Sequence, residues 1–183
     1  ANLGEIEDGI NTLSPPHDLT DAPDAKRLRV PSGKIDFDRI HFAYGRDVGG
    51  VDNISLSIAA GEKVGVVGAS GAGKSTLVSL LLRLYDAEKG SVRIDGKDLR
   101  KVTQESLRHQ IGMVTQETAL FNRSAKDNIL YGRATASEAE LVDAAKQAEA
   151  HDFILQLQDH KGRRGYEAHL GEQGVKLSGG QRQ

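Results

Sequence analysis

The sequence predicts an α/β fold, and three of its features support that class. Alternating apolar and polar residues over 35–44 and 54–58 predict antiparallel strands. Apolar segments at 62–67 and 111–114 are typical of buried parallel strands, because both faces of such strands are covered. Capping-box spacings after residue 120 predict a helical region. The chain is therefore expected to combine a small antiparallel β subdomain, a parallel core and an inserted helical subdomain.

The length and composition of the chain predict one domain with an appendage. Its 183 residues are 38% hydrophobic, which is enough to build a core. The net charge of -2, from 24 basic and 26 acidic residues, gives no reason to expect nucleic acid or an anionic membrane surface as a partner. The absence of cysteine excludes disulfides and thiolate metal sites, and the sequence has no run of 18 apolar residues that would predict a membrane span.

Residues 1–33 have the composition of a helix end followed by a linker. Apolar residues between Leu3 and Leu13 recur at helical spacing, and a frayed amphipathic tail accounts for this periodicity equally well. All four prolines lie between residues 15 and 31, which is typical of a linker. The start at Ala1 without methionine suggests a fragment of a longer product. The folded part is expected to begin near residue 34.

Three strands are predicted on either side of the glycine-rich segment at residues 68–76. In the first, Ile35 and Phe37 alternate on one parity and Ile40 and Phe42 on the other, so a bulge near Asp38 is needed to keep one face inward. The second covers residues 54–58. The third covers residues 90–96 and is closed by an Asp-Gly turn.

The stretch from residue 68 to residue 76, Gly-Ala-Ser-Gly-Ala-Gly-Lys-Ser-Thr, is the strongest functional signal in the chain. Two glycines five positions apart, followed by Lys and Ser or Thr, let the backbone close tightly around phosphate oxygens. The motif needs a strand before it and a helix after it, because successive N–H groups and a helix N-terminus must point at one anion. The sequence predicts both, with an apolar, buried helix at 77–84. A glycine-rich surface turn before a core helix is the alternative. Motif and context together predict a nucleoside triphosphate site.

The C-terminal third of the chain is predicted to be helical. The capping-box pairs Ser124–Asp127 and Ser137–Glu140 predict helices near 125–131 and 138–149. Residues 159–176 are polar and glycine-rich, which is typical of a loop.

The last seven residues read Leu-Ser-Gly-Gly-Gln-Arg-Gln. Ser178 and Gln181 again have the capping spacing, so a helix is predicted to begin here with free N–H groups beside two glycines. This is a second helix terminus suited to an anion. A natural chain is not expected to stop inside such a helix.

The Leu-Ser-Gly-Gly-Gln sequence, together with the phosphate loop upstream, resembles the nucleotide-binding domain of an ABC ATPase. The resemblance runs over residues 34–183, and Leu120–Ser124 and Asp127–Ile129 are most similar to the exporter branch. Residues 1–33 resemble the end of the last transmembrane helix plus linker in exporters that fuse a membrane domain to the ATPase. The resemblance implies a P-loop NTPase core with an antiparallel β subdomain and a helical subdomain over about 118–183, incomplete at the C-terminus.

The resemblance implies ATP and Mg²⁺ as cofactors and assigns roles to matching residues. Gly71, Gly73 and Lys74 would hold the β- and γ-phosphates. Ser75 would ligate Mg²⁺, and Thr76 would contact the α-phosphate. Tyr44 matches the aromatic that stacks on adenine, and an ordinary core aromatic is the alternative. Gln116 matches the glutamine that touches Mg²⁺ and the attacking water, so Gln116 and Lys74 are the expected catalytic residues; a glutamine without such a role is the alternative. The residues expected to contact nucleotide are Tyr44, Gly68, Ser70, Gly71, Ala72, Gly73, Lys74, Ser75, Thr76, Gln116, Ser178, Gly179, Gly180 and Gln181.

The resemblance also implies partners. In the family two ATPase domains pair head to tail, so Ser178, Gly179 and Gly180 would cap the γ-phosphate bound to the partner. An intact phosphate loop and an intact signature in one chain suit a homodimer. A fused or associated membrane domain would place the ATPase at the cytoplasmic face of a membrane. Residues 171–174 resemble the loop that relays the motion, although Gln173 stands where exporters often have Arg.

The apolar strand ending in Asp-Glu, which supplies the general base in the family, and the switch histidine are expected beyond Gln183. The run 80–86 ends in Asp but continues the loop helix. The parent protein is therefore expected to hydrolyse ATP and export a substrate, while these 183 residues alone bind nucleotide with negligible hydrolysis. Two alternatives stay open: a soluble ABC ATPase of DNA repair or translation, and a regulatory module that dimerises on ATP without hydrolysis.

Overall fold

The computed structural model describes residues 19–45, 50–115, 119–172 and 174–183. The chain divides into two compact units, Ala1–Gly112 and Met113–Gln183, here called unit 1 and unit 2, and each has its own cluster of buried apolar residues. The helix predicted within residues 1–13 lies outside the described residues. No helix in the described ranges has both the length and the hydropathy that a bilayer crossing requires.

Unit 1 contains a four-stranded antiparallel sheet. Its strands are β1 (Ile35–Phe42), β2 (Val51–Ile58), β3 (Lys89–Ile94) and β4 (Lys97–Asp98), in the order β2-β1-β3-β4. Every pairing in this sheet is antiparallel. The antiparallel β subdomain is therefore confirmed, and it includes all three strands predicted outside the parallel core.

The bulge predicted in β1 is also confirmed. The register shifts between Phe37 and Ile40 against β2, and between Asp38 and His41 against β3. Arg39, at the centre of the shift, has a left-handed φ of 47°. Since the extra residue restores the parity, Phe37 and Ile40 are both buried on the core side.

The Asp-Gly turn between β3 and β4 fastens the chain that precedes the sheet. Asp95 and Gly96 have φ values of 49° and 74°, as a two-residue hairpin turn requires. The Asp95 carboxylate accepts hydrogen bonds from the Ser32 hydroxyl and from the backbone N–H groups of Ser32, Gly33 and Lys34. The hydrogen bond from the Ser32 hydroxyl, assisted by the backbone donors, lowers the pKa of Asp95 far below its ordinary value.

The segment predicted to be a linker packs against unit 1 before residue 34. Leu28 is 1% exposed and belongs to the unit 1 core, and Lys26 forms a parallel bridge with Val102. Burying a leucine side chain contributes roughly 2 kcal/mol, which helps to hold this proline-rich segment against unit 1. Residues before Lys34 therefore contribute to the core of unit 1, while the predicted domain boundary near residue 34 stays a prediction.

Two helices complete unit 1. α1 (Lys74–Leu81) follows the phosphate loop as predicted, but only Thr76 and Leu80 are buried and Val78 is 43% exposed, so the expectation of burial nearly all round is wrong. The reason is that α1 meets apolar neighbours on one side. α2 (Gln104–Arg108), preceded by a 3₁₀ turn at Leu99–Lys101, was not predicted; its N-cap is the Thr103 side chain.

The two parallel strands predicted for the core do not form in the described structure. Residues 62–67 and 111–115 have no strand assignment, and Val67 and Val114 are 93% and 75% exposed. A strand exists only through hydrogen bonds to a neighbouring strand, and no described residue pairs with either segment in a sheet. The apolar pattern alone does not supply that neighbour.

Unit 2 is helical, as predicted. It contains α3 (Ala125–Leu130), α4 (Glu138–Gln147), α5 (His151–Leu155), a 3₁₀ turn at Gly165–Glu167 and α6 (Gly179–Arg182). The predicted N-caps are confirmed, because the hydroxyls of Ser124, Ser137 and Ser178 each accept the N–H three residues on. The core of unit 2 contains Ala125, Ala145, Ile154 and Leu170.

The predicted loop at 159–176 is organised by one buried carboxylate. The Asp159 side chain accepts hydrogen bonds from the N–H groups of Lys161, Arg163 and His169 and from Arg163 Nε at 2.6 Å. Burial alone would raise the pKa of Asp159, but these hydrogen bonds outweigh burial and lower it. The loop is therefore held in one conformation from within.

Candidate nucleotide-binding site

The phosphate loop of unit 1 depends on two glycines in the left-handed region. Gly71 and Gly73 have φ values of 83° and 84°. A Cβ added to Gly73 would lie 2.5 Å from Val51 Cγ1 and 2.6 Å from the Gly50 carbonyl oxygen, whereas a Cβ on Gly71 would meet nothing within 4 Å. Gly73 is thus required both by its backbone angle and by the closeness of β2.

The N-terminus of α1 opens into this loop. Gly73 is its N-cap residue, and no side chain caps the helix there. The first N–H groups of a helix have no acceptor inside the helix, and the helix dipole places partial positive charge beside them. The loop residues Gly68, Ser70, Gly71 and Ala72 are exposed. This end of α1 can therefore receive an anion.

Lys74 adds a full positive charge to the same place. Its Nζ donates to the carbonyl oxygens of Gly68 at 2.8 Å and of Ala69 at 2.7 Å, so the ammonium folds back over the loop. A cation held above a row of helix N–H groups is suited to phosphate oxygens.

Ser75 and Thr76, the next two residues, have different surroundings. Ser75 is exposed, so its hydroxyl can donate an oxygen ligand to Mg²⁺, an ion that prefers oxygen and keeps water and phosphate in its shell. In the described part of the chain, no group of three or more His, Cys, Asp or Glu could hold a metal ion. The Mg²⁺ site implied by the resemblance fits Ser75 as one ligand among phosphate and water oxygens. Thr76 is buried, with 6% exposure.

Tyr44, the predicted adenine contact, lies in an aromatic cluster beside α1. Its hydroxyl donates to Thr76 Oγ1 at 3.3 Å. Its ring packs edge to face against Phe42 and against Tyr85, with centroid distances of 4.6 and 5.1 Å. Tyr44 is 40% exposed, so part of this residue is accessible to a ligand. The structure thus brings Tyr44 next to the phosphate loop, 32 residues along the chain from Thr76.

A buried cation at the far end of α1 was not predicted from the sequence. The Arg83 side chain is 2% exposed and pairs with Asp86 at 3.0 Å and with Asp21 at 3.1 Å. It also donates to the carbonyl oxygens of Val102 and Thr20. A charged residue inside the apolar run at 80–84 was the signal that could have revealed it, since an isolated buried charge needs partners.

The glycine signature in unit 2 caps its own helix. Ser178 Oγ accepts the Gln181 N–H at 3.3 Å, and Gln181 Oε1 accepts the Ser178 N–H at 3.0 Å. Gly179 and Gly180 are exposed, and a Cβ on either would meet no described atom within 4 Å. Nothing within the described chain therefore requires glycine at these two positions.

Other predicted site residues stay untested. Gln116 and Gln173 lie outside the described residues, so the predicted metal and water contacts of Gln116 and the relay role of residues 171–174 remain predictions. The roles assigned to the remaining loop and signature residues are likewise predictions, because the arrangement of these residues suits a nucleotide but does not test its contacts.

Comparisons with known proteins agree on one family. The ABC transporter family matches residues 51–183. The chain is 55% identical over 182 residues to an uncharacterized ABC transporter ATP-binding protein of Haemophilus influenzae. The aligned region covers 100% of this chain and 30% of that protein. The chain is 43% identical to ATP-binding cassette sub-family B member 6 of Mus musculus, across 100% of this chain and 21% of the mouse protein.

One solved structure gives the same result in three dimensions. A bacterial Atm1-family ABC exporter with ATP bound matches with a TM-score of 0.89 and 42% identity, over 98% of this chain and 31% of that chain. The chain thus spans less than a third of the length of each of these proteins.

Proposed function

Since the chain belongs to the ABC transporter family, we propose that it is the ATP-binding part of an exporter that couples ATP binding and hydrolysis to transport across a membrane. The predicted ABC ATPase fold is confirmed by the match to the Atm1-family exporter. One observation carries the proposal: the phosphate loop, the open N-terminus of α1 and Lys74 Nζ converge on one exposed spot. The exporter assignment draws on the matching solved structure, which is that of an Atm1-family ABC exporter.

In the proposed site each residue of unit 1 acts on a different part of ATP. The N–H groups of the loop and Lys74 neutralise the β- and γ-phosphates, and this electrostatic stabilisation is the main protein contribution to phosphoryl transfer. Thr76 receives the α-phosphate, and Tyr44 offers a ring face to adenine. Mg²⁺, when bound at Ser75, neutralises charge on the phosphates. Gln116, which belongs to unit 2, would orient the attacking water by the same resemblance.

The signature of unit 2 is proposed to act on the partner's nucleotide. Gly179 and Gly180 are glycines where this chain alone leaves room for a side chain. A reason for glycine at such positions is the close approach of another molecule, which fits a γ-phosphate bound to a second ATPase domain. Ser178, as the N-cap, fixes the helix end that meets it. The assembly is proposed as a head-to-tail homodimer attached to a membrane domain, at the cytoplasmic face of the membrane.

Titration of the 183-residue chain with ATP and Mg²⁺ in a calorimeter tests the binding step. Lys74→Ala removes a charge-assisted contact to phosphate, so its affinity should fall about tenfold to a hundredfold. Lys63→Ala is the matched control, because Lys63 is an exposed lysine outside the loop; its affinity should stay within twofold of the unsubstituted chain. Equal affinities for Lys74→Ala and the unsubstituted chain would refute the phosphate-loop assignment.

ATP hydrolysis by the 183-residue chain and by its full-length parent, each with and without Lys74→Ala, tests where the catalytic activity resides. The 183 residues should release phosphate from ATP only at the background rate, because they contain no apolar strand that ends in Asp-Glu. The full-length parent should hydrolyse ATP and lose that activity in Lys74→Ala. Turnover by the 183 residues that disappears in Lys74→Ala would contradict the first expectation.

A further inference from the structure

We propose that Tyr85 is a positioning residue of the nucleotide site, which holds the Tyr44 ring in place for the base of ATP. This inference rests on the proposed ATP-binding function and extends it to a residue with no assigned role. It arises from the aromatic cluster at the C-terminal end of α1.

The three rings of this cluster contact one another in a closed set. Tyr44 and Tyr85 lie edge to face, with centroids 5.1 Å apart and planes at 80°. Phe42 meets Tyr44 at 4.6 Å and 70°, and meets Tyr85 at 5.2 Å and 40°. Edge-to-face contacts are the favourable arrangement for aromatic rings. Tyr44 is therefore restrained by two rings rather than by one.

Tyr44 needs this restraint because its own segment gives it little. It lies just beyond the end of β1, has a left-handed φ of 56° and is 40% exposed. Its hydroxyl bond to Thr76 fixes the tip of the side chain but leaves the ring free to tilt about that point. Phe42 restrains the ring from β1, and Tyr85 supplies the second edge.

The backbone that carries Tyr85 is itself fixed. Arg83 and Asp86, on either side of it, are joined by an ion pair of 3.0 Å in which the Arg83 side chain is 2% exposed. The N–H of Leu84 donates to the Ser79 carbonyl oxygen at 2.9 Å, which ties this turn to α1. Tyr85 is thus a rigid support.

α1 links this support to the phosphate loop. The helix has eight residues, so its two ends are separated by about 12 Å. The phosphate subsite lies at its N-terminus and Tyr85 follows its C-terminus. One rigid element therefore sets both the position of the phosphates and the position of the ring that orients Tyr44.

The test of this inference compares the binding of two ligands to the same variants. The 183-residue chain, Tyr85→Ala and Tyr85→Phe are titrated with Mg-ATP and with inorganic triphosphate, which has no base. Tyr85→Ala should bind ATP about threefold to tenfold more weakly, since the Tyr44 ring must then be ordered on binding. Its affinity for triphosphate should not change. Tyr85→Phe keeps the ring and should bind both ligands within twofold of the unsubstituted chain.

Two controls separate positioning from a general structural effect. Tyr131→Ala removes another exposed tyrosine that contacts a ring, that of Phe121, at 4.5 Å in unit 2, and should leave both affinities unchanged. In a Tyr44→Ala background, the further change Tyr85→Ala should have no additional effect on ATP, because its target is already gone.

The outcomes are distinguishable. Equal loss of ATP and triphosphate affinity in Tyr85→Ala, or additive losses in the double variant, would overturn the positioning role while the ATP site stands. An unsubstituted chain that binds triphosphate and ATP equally well would overturn base recognition and this inference together. An unsubstituted chain that binds neither ligand would overturn the proposed function as well.

Discussion

Replacing Gly73 by alanine should disrupt the phosphate loop much more than the same change at Gly71. Both residues have a φ near +83°, where a Cβ is unfavourable by about 1–2 kcal/mol. They differ in the space around them. A Cβ at Gly73 would lie 2.5 Å from Val51 Cγ1 and 2.6 Å from the Gly50 carbonyl oxygen, whereas the space around Gly71 is open.

The expected magnitudes follow from these distances. In both variants alanine stiffens the unfolded chain, which stabilises the fold by about 0.4–1 kcal/mol and partly offsets the strain. Gly71→Ala should therefore lower the free energy of unfolding by about 1 kcal/mol. Gly73→Ala must also displace β2 or the start of α1, and such overpacking costs about 1–3 kcal/mol more. The total for Gly73→Ala is about 2–4 kcal/mol.

Urea denaturation followed by far-UV circular dichroism measures the difference, with linear extrapolation to water. Since the backbone strain and the unfolded-state effect are shared, the gap between the two variants isolates the steric contact with Val51 and Gly50. ATP affinity, measured on folded protein, should fall further in Gly73→Ala than in Gly71→Ala. If the two variants have the same free energy of unfolding, the close approach of β2 to the loop is not what requires glycine at position 73.

Two further predictions concern stability. Arg83→Met removes a cation that is 2% exposed and leaves two half-buried carboxylates without their partner, so the free energy of unfolding should fall by about 2–3 kcal/mol. Arg133→Met is the control, because the ion pair between Arg133 and Glu140 is exposed on both sides, and its loss should be under about 1 kcal/mol. Equal losses in urea denaturation would contradict a buried role for Arg83. Ser32 and the neighbouring N–H groups lower the pKa of Asp95 in the folded state. The Asp95 carboxylate therefore stabilises the fold fully at a pH above its unfolded-state pKa of about 3.9, and this stabilisation is lost as the pH falls below that pKa. The stability difference between the unsubstituted chain and Asp95→Asn should therefore shrink from pH 6 toward pH 2, and a difference that is constant over this range would show that Asp95 is not the titrating group.

Features that depend on neighbours in the sequence were predicted correctly. The bulge in β1 follows from a change of parity, the caps at Ser124, Ser137 and Ser178 follow from a three-residue spacing, and the Asp-Gly turn follows from backbone preference. In each case the groups that interact are a few residues apart. Local pattern is then sufficient, because chain connectivity already places the partners together.

Features that depend on partners far along the chain were decided by the tertiary structure. The segments at 62–67 and 111–114 have the composition of strands, but a strand forms only where another strand supplies its hydrogen bonds. Arg83 finds Asp21 across 62 residues of sequence. Tyr85 meets Tyr44 only because α1 and β1 pack together. The sequence by itself determined the phosphate loop and the family of the fold, since both are carried by contiguous motifs. Only the tertiary structure decided which side chains support that loop, because burial and ring packing are properties of residues that the sequence does not place side by side.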